Sequence, residues 1–276
     1  MLDFVILILI AVLFSLHQVS VRKGVRELDL MIGNLISIST TTAIFLPALV
    51  LRFHPNAEFV ALMVVAGILQ FFVARLCFYA SIERVGANVA SALSATRIYF
   101  AELFGAVMGE EITLKLIVAS TLVFVGIVLL SNPKDCKDPI GVALGLATAV
   151  FAVLSSVVVK IGLQCYDDPI FGSAIGYLSS FVLFLLLIPK STATSIDLSK
   201  AKYFVLGGIF VGMGHLLRYY ELGKLPISVV EPVISVYPLF TILLSFVFIR
   251  KMEVFSARVI LGSISIVVGV YECGDY

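Results

Sequence analysis

Tryptophan is absent from this 276-residue chain, and charge is scarce: only 13% of its residues are Asp, Glu, Lys or Arg. Soluble domains carry about 25% charged residues, so half the charge of an ordinary water-facing surface is missing. The charges nearly cancel, at a formal net +1, which argues against nucleic-acid binding and against a partner surface built on one sign of charge. Four cysteines (Cys77, Cys136, Cys165, Cys273) stand without CxxC spacing or a nearby histidine. Neither a zinc site nor a disulfide framework is expected from them. No connection is long enough to be a soluble domain, and neither GxxxxGK[ST] nor HExxH occurs. A nucleotide-driven pump and a zincin-type membrane protease are therefore not expected, and no cofactor is. Without tryptophan, Tyr and Phe must supply any aromatic belt at a membrane interface.

The chain does have apolar length. Hydrophobic residues make up 61% of it, with a mean hydropathy of +1.12. A membrane helix needs about 20 mostly apolar residues. Ten such stretches run at 3–21, 30–51, 58–81, 87–108, 113–131, 139–160, 169–189, 202–222, 227–249 and 255–273. They predict an all-α integral membrane protein with ten transmembrane helices, multi-pass in the cell membrane. The first stretch follows Met1-Leu2-Asp3 with no basic segment before it, so it reads as a membrane helix rather than a signal peptide. Asp138-Pro139 and Asp168-Pro169 each put an acidic cap before a proline at the first helical position, a helix-start signal. Asn132-Pro133-Lys134-Asp135 ends the fifth helix.

The second half echoes the first. Leu13-Phe14-Ser15 leading to Lys23 parallels Val150-Phe151-Ala152 leading to Lys160, and Cys77-Phe78-Tyr79 parallels Arg218-Tyr219-Tyr220. Glu110 followed by Gly126 parallels Glu253 followed by Gly269. Two five-helix repeats, 1–133 and 138–276, follow. An odd number of helices in each requires opposite insertion, the inverted repeat of many secondary transporters. Alternate connections carry 12 Lys or Arg against four in the others, which places both termini outside. Glycines four apart (Gly105/Gly109, Gly141/Gly145, Gly172/Gly176, Gly208/Gly212) read as close helix packing.

One segment runs Lys224-Leu225-Pro226-Ile227-Ser228-Val229-Val230-Glu231-Pro232, followed by Tyr237-Pro238 and Glu253. Its first-half counterpart is Val89-Ala90-Ser91-Ala92-Leu93 with Gly109-Glu110-Glu111. In these the chain resembles the drug/metabolite transporter superfamily, in its EamA-like branch. The resemblance implies a ten-helix carrier of small molecules. The chain departs from the family pattern with Tyr237-Pro238 and Thr96-Arg97 where Glu-Pro is usual, and with Glu231 where a small residue is usual.

Ionisable groups at membrane depth are costly and mark functional or paired positions. Here they are Arg75, Arg97, Glu102, His215, Arg218 and Glu231, with His17, Gln18 and Gln70 as polar company. His215, Arg218 and Tyr219 share a helix face by spacing, as do Arg75 and Tyr79. A guanidinium binds a carboxylate or phosphate through two hydrogen bonds, so Arg75 and Arg218 are expected to recognise an anionic group of a substrate. Pairing with Glu102, Glu231 or Glu221 is the alternative. Glu231 reads as a proton carrier, a contact for a substrate amine or a structural partner of Arg218 or His215, and Glu102 as a second proton-coupling candidate. Glu110, Glu111 and Glu253 read as solvated caps at helix ends, and Lys23 and Lys160 as side chains that reach for the interface.

The expected activity is alternating-access transport of a small polar metabolite, best an amino acid or related zwitterion. A phosphorylated metabolite or nucleotide sugar is the next class. Helices 3, 4, 8 and 9 are expected to line the cavity, aided by 1 and 6. Partners are the small-molecule substrate, the lipid bilayer and protons as a coupling ion, with the chain a monomer or homodimer. A non-transporting sensor and an intramembrane enzyme are the rival classes. Glu110-Glu111 is similar to the paired glutamates of CAAX-type proteases, but Lys115 stands where they have Arg.

Overall fold

A computed structural model of the chain describes residues 2–24, 28, 30–52, 56–85, 87–131, 138–187, 198–248 and 257–274. Cys136, Glu253, the 132–135 stop signal and most of the 190–202 connection lie outside them. Every regular element among the described residues is helical. The elements are α1 (Leu2–Gly24), α2 (Leu30–Leu51), α3 (Ala57–Gly67), a π-helical stretch (Ile68–Ala74), α4 (Arg75–Val85), α5 (Ala87–Ser94) and α6 (Arg97–Val107). They continue with α7 (Leu114–Ser131), α8 (Pro139–Cys165), α9 (Pro169–Leu187), α10 (Leu198–Leu222), α11 (Ile227–Ile234), α12 (Tyr237–Phe248) and α13 (Ala257–Gly274).

Among the described residues, five helical runs are long and apolar enough to cross a membrane: Leu2–Val21, Met31–Leu51, Ala57–Ser81, Pro139–Cys165 and Pro169–Leu187. Shorter apolar helices lie at Leu114–Leu130, Ile227–Thr241 and Ile264–Cys273. The outer surface is apolar, and polar groups share the interior with an apolar core. Leu2, Val50, Leu51, Leu103, Val107 and Leu186 are exposed, while Ser15, Thr41, Ser155, Ser156, Ser180, Arg218 and Glu231 are buried. Lipid is the natural solvent for such a surface, and hydrogen bonds inside the bundle serve the polar groups.

The expected caps are present. Asp138 Oδ1 accepts from Ile140 N and Gly141 N at the start of α8. Asp168 Oδ1 accepts from Ile170 N and Phe171 N at the start of α9. α8 runs five residues past the stretch expected for it, to Cys165.

Three interruptions break the apolar runs, two of them unexpected and the third in the ninth run, where Pro232 and Pro238 predict a bend. The stretch Ile68–Ala74 takes wider π turns inside one continuous helical run, from Ala57 to Val85. Hydroxyls of other helices serve the carbonyls just before it: Ser155 Oγ donates to Ala66 O and Ser180 Oγ to Gly67 O, both at 2.8 Å. α5 gives way to α6 at Ala95–Thr96 through i→i−3 bonds (Thr96 N to Leu93 O, Ile98 N to Ala95 O). α11 gives way to α12 at Ser235–Val236, again with an i→i−3 bond from Leu239 N to Val236 O. Pro238 explains the second break, because it has no N–H for the carbonyl of Ile234.

Packing follows the small residues. α1 lies along α10, α8 against α3 and α4, α2 against α9 and α10, and α9 against α3. α7 runs along α13, α6 meets α11, α1 meets α12, and α5 and α6 meet α8. At the α7–α13 contact, a Cβ on Gly126 would sit 2.6 Å from Gly262 O, and one on Gly269 would sit 2.6 Å from Ala119 O. Only glycine lets the two backbones come that close.

Candidate functional site

The two helix breaks and the ends of α8 and α10 converge on one charged centre. Glu231, in α11, is fully buried. Its Oε1 accepts from Arg218 Nε at 3.1 Å, from Arg218 Nη2 at 2.6 Å and from Ser156 Oγ at 2.8 Å. Arg218 Nη2 also donates to Ser156 Oγ. Glu231 Oε2 faces Arg97 Nε at 3.6 Å, and the same Nε donates to Ser235 Oγ at 2.9 Å. The Tyr237 ring lies 5.6 Å from the Arg97 guanidinium carbon, close enough for a cation–π contact. Ser15 Oγ fixes the second break by donating to Tyr237 O at 2.6 Å.

Two guanidiniums here share one carboxylate, which leaves one surplus positive charge. Arg97 Nη2, Arg218 Nη1 and Glu231 Oε2 are buried without a hydrogen-bond partner. Buried polar groups are normally satisfied, because an unmet donor costs about 1–3 kcal/mol. Two donors and one acceptor of this centre are thus left over from its protein hydrogen bonds.

A second polar group lies around Arg75, at the first residue of α4. Arg75 Nη1 donates to Asn34 Oδ1 at 3.1 Å. His17 Nδ1 bonds Gly207 O at 2.9 Å. His215 sits in a box of rings, 4.8 Å from Phe14, 4.8 Å from Phe71 and 6.2 Å from Tyr177. Phe71 stacks on Tyr177 at 4.0 Å. Asn34 Nδ2, Ser37 Oγ, Gln70 Oε1, His215 Nδ1 and Tyr219 Oη are buried without partners.

The residues expected from sequence divide accordingly. Arg218, Tyr219 and His215 all turn inward from α10, and Arg218 meets Glu231 as the pairing alternative had it. Arg75 meets Asn34 and no carboxylate among the described residues. Tyr79 is buried on the Arg75 side. Glu102 is buried as well but lies beside Ser120 and Cys273, toward α7 and α13 and away from the arginines. Ser156 and Asn34 were not among the expected site residues, and Arg97 was expected only as an ionisable group at membrane depth. Arg97 and the Ser155-Ser156 pair were visible as polar groups in apolar runs, yet nothing in their spacing links them to Glu231.

Glu110 differs from its expected role. Gly109 takes φ +86°, ends the α6 turn with Glu110 N bonded to Gly105 O, and aims the Glu110 carboxylate at the start of α11. Glu110 Oε1 accepts from Ile227 N at 2.7 Å, and Oε2 from Ser228 N at 3.0 Å and Ser228 Oγ at 2.7 Å. Lys160 Nζ donates to Glu110 Oε1 at 3.0 Å and to Leu225 O at 2.8 Å. The glutamate is thus an internal cap on the helix that carries Glu231, and Lys160 is its partner rather than a free interfacial side chain. Burial pushes the Glu110 carboxyl up, but these hydrogen bonds outweigh it and hold the group below the usual carboxylate range. A negative charge at a helix N-terminus is also favoured by the helix dipole.

The sequence profile of the EamA-like transporter family matches residues 3–132 and again residues 139–272. The chain belongs to the EamA-like transporter family. A relative in Archaeoglobus fulgidus, named an uncharacterized transporter, is 25% identical over 98% of this chain and 97% of its own length. An uncharacterized protein of Methanocaldococcus jannaschii is 29% identical over 47% of this chain and 92% of its own length. A solved structure described only as a crystal structure of a protein superposes with a TM-score of 0.79 at 16% identity, over 98% of this chain and 95% of that one. That likeness concerns the fold. As an EamA-like protein, the chain is a multi-pass membrane transporter of the cell membrane, and the family points to transport rather than to enzymatic catalysis.

Proposed function

We propose that this EamA-like protein is a secondary transporter of an amino acid or related zwitterion, working by alternating access between two inverted five-helix halves, 1–133 and 138–276. The spare donors of Arg97 and Arg218 beside Glu231 carry the reading. A substrate carboxylate takes the free guanidinium nitrogens, and the substrate ammonium takes Glu231. Binding at broken helices in matching positions of two halves is the arrangement expected of such carriers.

The inverted repeat is supported by contacts that recur when the halves are exchanged. Ser180 Oγ donates to Gly67 O, and Thr41 Oγ1 donates to Gly208 O at 2.7 Å. Ser155 serves Ala66 O, and His17 serves Gly207 O. Arg84 pairs with Asp138 at 3.0 Å, and Lys224 pairs with Asp3 at 3.4 Å. The breaks at Ala95–Thr96 and Ser235–Val236 correspond too. The charges of the centre do not recur: Cys77 stands where the second half has Arg218, and Ser91 where it has Glu231. A symmetric scaffold thus carries an asymmetric site, so that rocking the halves exposes the same charged centre to each face.

Proton coupling fits the same centre. Glu231 is the proton carrier when no substrate ammonium occupies it; Glu102, with Oε1 unpartnered, is the second candidate. Counterflow in proteoliposomes tests the reading without assuming a coupling ion. Vesicles loaded with unlabelled amino acids should transiently accumulate labelled amino acid, and Arg218→Ala should abolish the accumulation. Absence of counterflow with wild-type protein refutes amino acids as the class and turns the test to phosphorylated metabolites.

A further inference from the structure

Arg75 is a half-buried cation whose surroundings supply donors rather than a counter-charge. Its bonded neighbour is Asn34, which offers Oδ1 to the guanidinium and keeps Nδ2 buried and unpartnered. Ser37 lies one turn further along α2 and is also buried with its hydroxyl unpartnered. Among the described residues, none of the carboxylates pairs with Arg75. A guanidinium, an amide N–H and a hydroxyl make a donor-rich cluster, which is the chemistry that recognises an oxyanion.

The cluster is not a separate compartment. Phe71 precedes Arg75 by four residues and His215 precedes Arg218 by three, and their rings meet at 4.8 Å, so the segments that carry the two guanidiniums share the aromatic box of Phe14, Phe71, Tyr177 and His215. The Arg218–Glu231 end suits a zwitterion's α-carboxylate and ammonium. The Arg75 end suits one further acidic group on the same molecule.

We infer that Arg75, Asn34 and Ser37 form a subsite for a second oxyanion, so that the substrate is an amino acid bearing an acidic side group, carboxylate or phosphate. The inference rests on the amino-acid reading of the Arg97–Arg218–Glu231 centre and adds the specificity. The π-helical stretch gives the subsite a structural cause. Its wide turns end at Ala74, and the extra residue per turn rotates Arg75 away from the face set by α3.

The test compares counterflow of L-glutamate, O-phospho-L-serine and L-glutamine in proteoliposomes of the wild-type chain. One charge-assisted contact changes recognition by about 10–100-fold, and the preference for an acidic substrate over glutamine should be of that size. Glutamate and phosphoserine distinguish a carboxylate from a phosphate as the natural group. Arg75→Gln should bring the ratio of acidic to neutral exchange near one while glutamine exchange persists. Asn34→Asp should do the same by giving Arg75 an internal counter-ion at almost unchanged shape. A merely structural role for Arg75 would lower all three rates together and leave the ratio intact. Equal exchange of glutamine and glutamate by the wild-type chain overturns the inference and leaves the amino-acid reading standing. No exchange of any of the three overturns the inference, while the amino-acid reading stands or falls with counterflow of the pooled amino acids. If neither variant folds, judged by its elution profile in detergent, the wild-type ratio still decides.

Discussion

Replacing Glu231 by Gln keeps the side-chain shape and removes the one negative charge shared by Arg97 and Arg218. Removing one partner of a buried ion pair costs about 3–5 kcal/mol, because the remaining charge stays desolvated. The Gln carbonyl still accepts one hydrogen bond from Arg218, which puts the loss near the lower end, about 3 kcal/mol. Ser156→Ala is the control. It removes a neutral hydroxyl that donates to Glu231 and accepts from Arg218, at a cost of about 1–2 kcal/mol. For chains of 150–250 residues each kcal/mol moves the melting temperature by about 2–4 °C, so Glu231→Gln should melt about 6–12 °C below the wild type. Cys273 is buried in α13 and reports unfolding as a thiol, in a chain whose other three cysteines are Ser. Labelling of Cys273 against temperature in a fixed detergent gives the midpoint. The double variant Arg218→Met, Glu231→Leu should recover part of the loss, because an apolar pair replaces a desolvated ionic one, while Arg97 stays without its partner. If Glu231→Gln shifts the midpoint no more than Ser156→Ala, the carboxylate is not the counter-charge of this centre and the reasoning fails.

Two further outcomes follow from the packing and from Glu110. Gly126→Val and Gly269→Val should each lower the same melting midpoint by a comparable amount, since each Cβ would meet a backbone carbonyl of the facing helix at 2.6 Å; one variant harmless and the other severe would break the correspondence between the halves. The depressed Glu110 carboxyl contributes stability that is fully present above its unfolded value, about 4.3, and is lost as pH falls through the lower folded value. Wild-type stability should therefore drop in that acid window, and Glu110→Gln should be less stable at neutral pH with a flatter profile there, measured by the same thiol-labelling midpoint.

Membrane residence was legible because it depends on composition and run length alone. Once about 20 apolar residues follow one another, the bilayer dictates a helix. The starts of α8 and α9 were legible for an equally local reason: an Asp side chain and the two or three N–H groups beyond it form the cap without help from elsewhere. The echo between halves was readable in the order of features, and the resemblance to EamA-like proteins rested on it. The breaks in α5–α6 and in the π-helical stretch were less so. No proline marks Thr96, and Ile68–Ala74 reads as ordinary apolar helix. Glu110 was misread because its position at a helix end suggested water, whereas the turn at Gly109 folds it back onto α11.

The sequence by itself determined that the chain lies in a membrane as helices, where most of them start and stop, and which ionisable residues are held at membrane depth. Tertiary structure alone decided which of those residues meet. Arg97 and Glu231 come from different halves, Ser156 reaches Arg218 from α8, Glu110 caps a helix more than a hundred residues away, and Glu102 turns from the arginines toward Ser120 and Cys273. Helical periodicity assigns a side chain to a face, but the partner of that face is set by how closely glycine and serine let the helices approach. That approach is a property of two surfaces together, and no single stretch of sequence contains it.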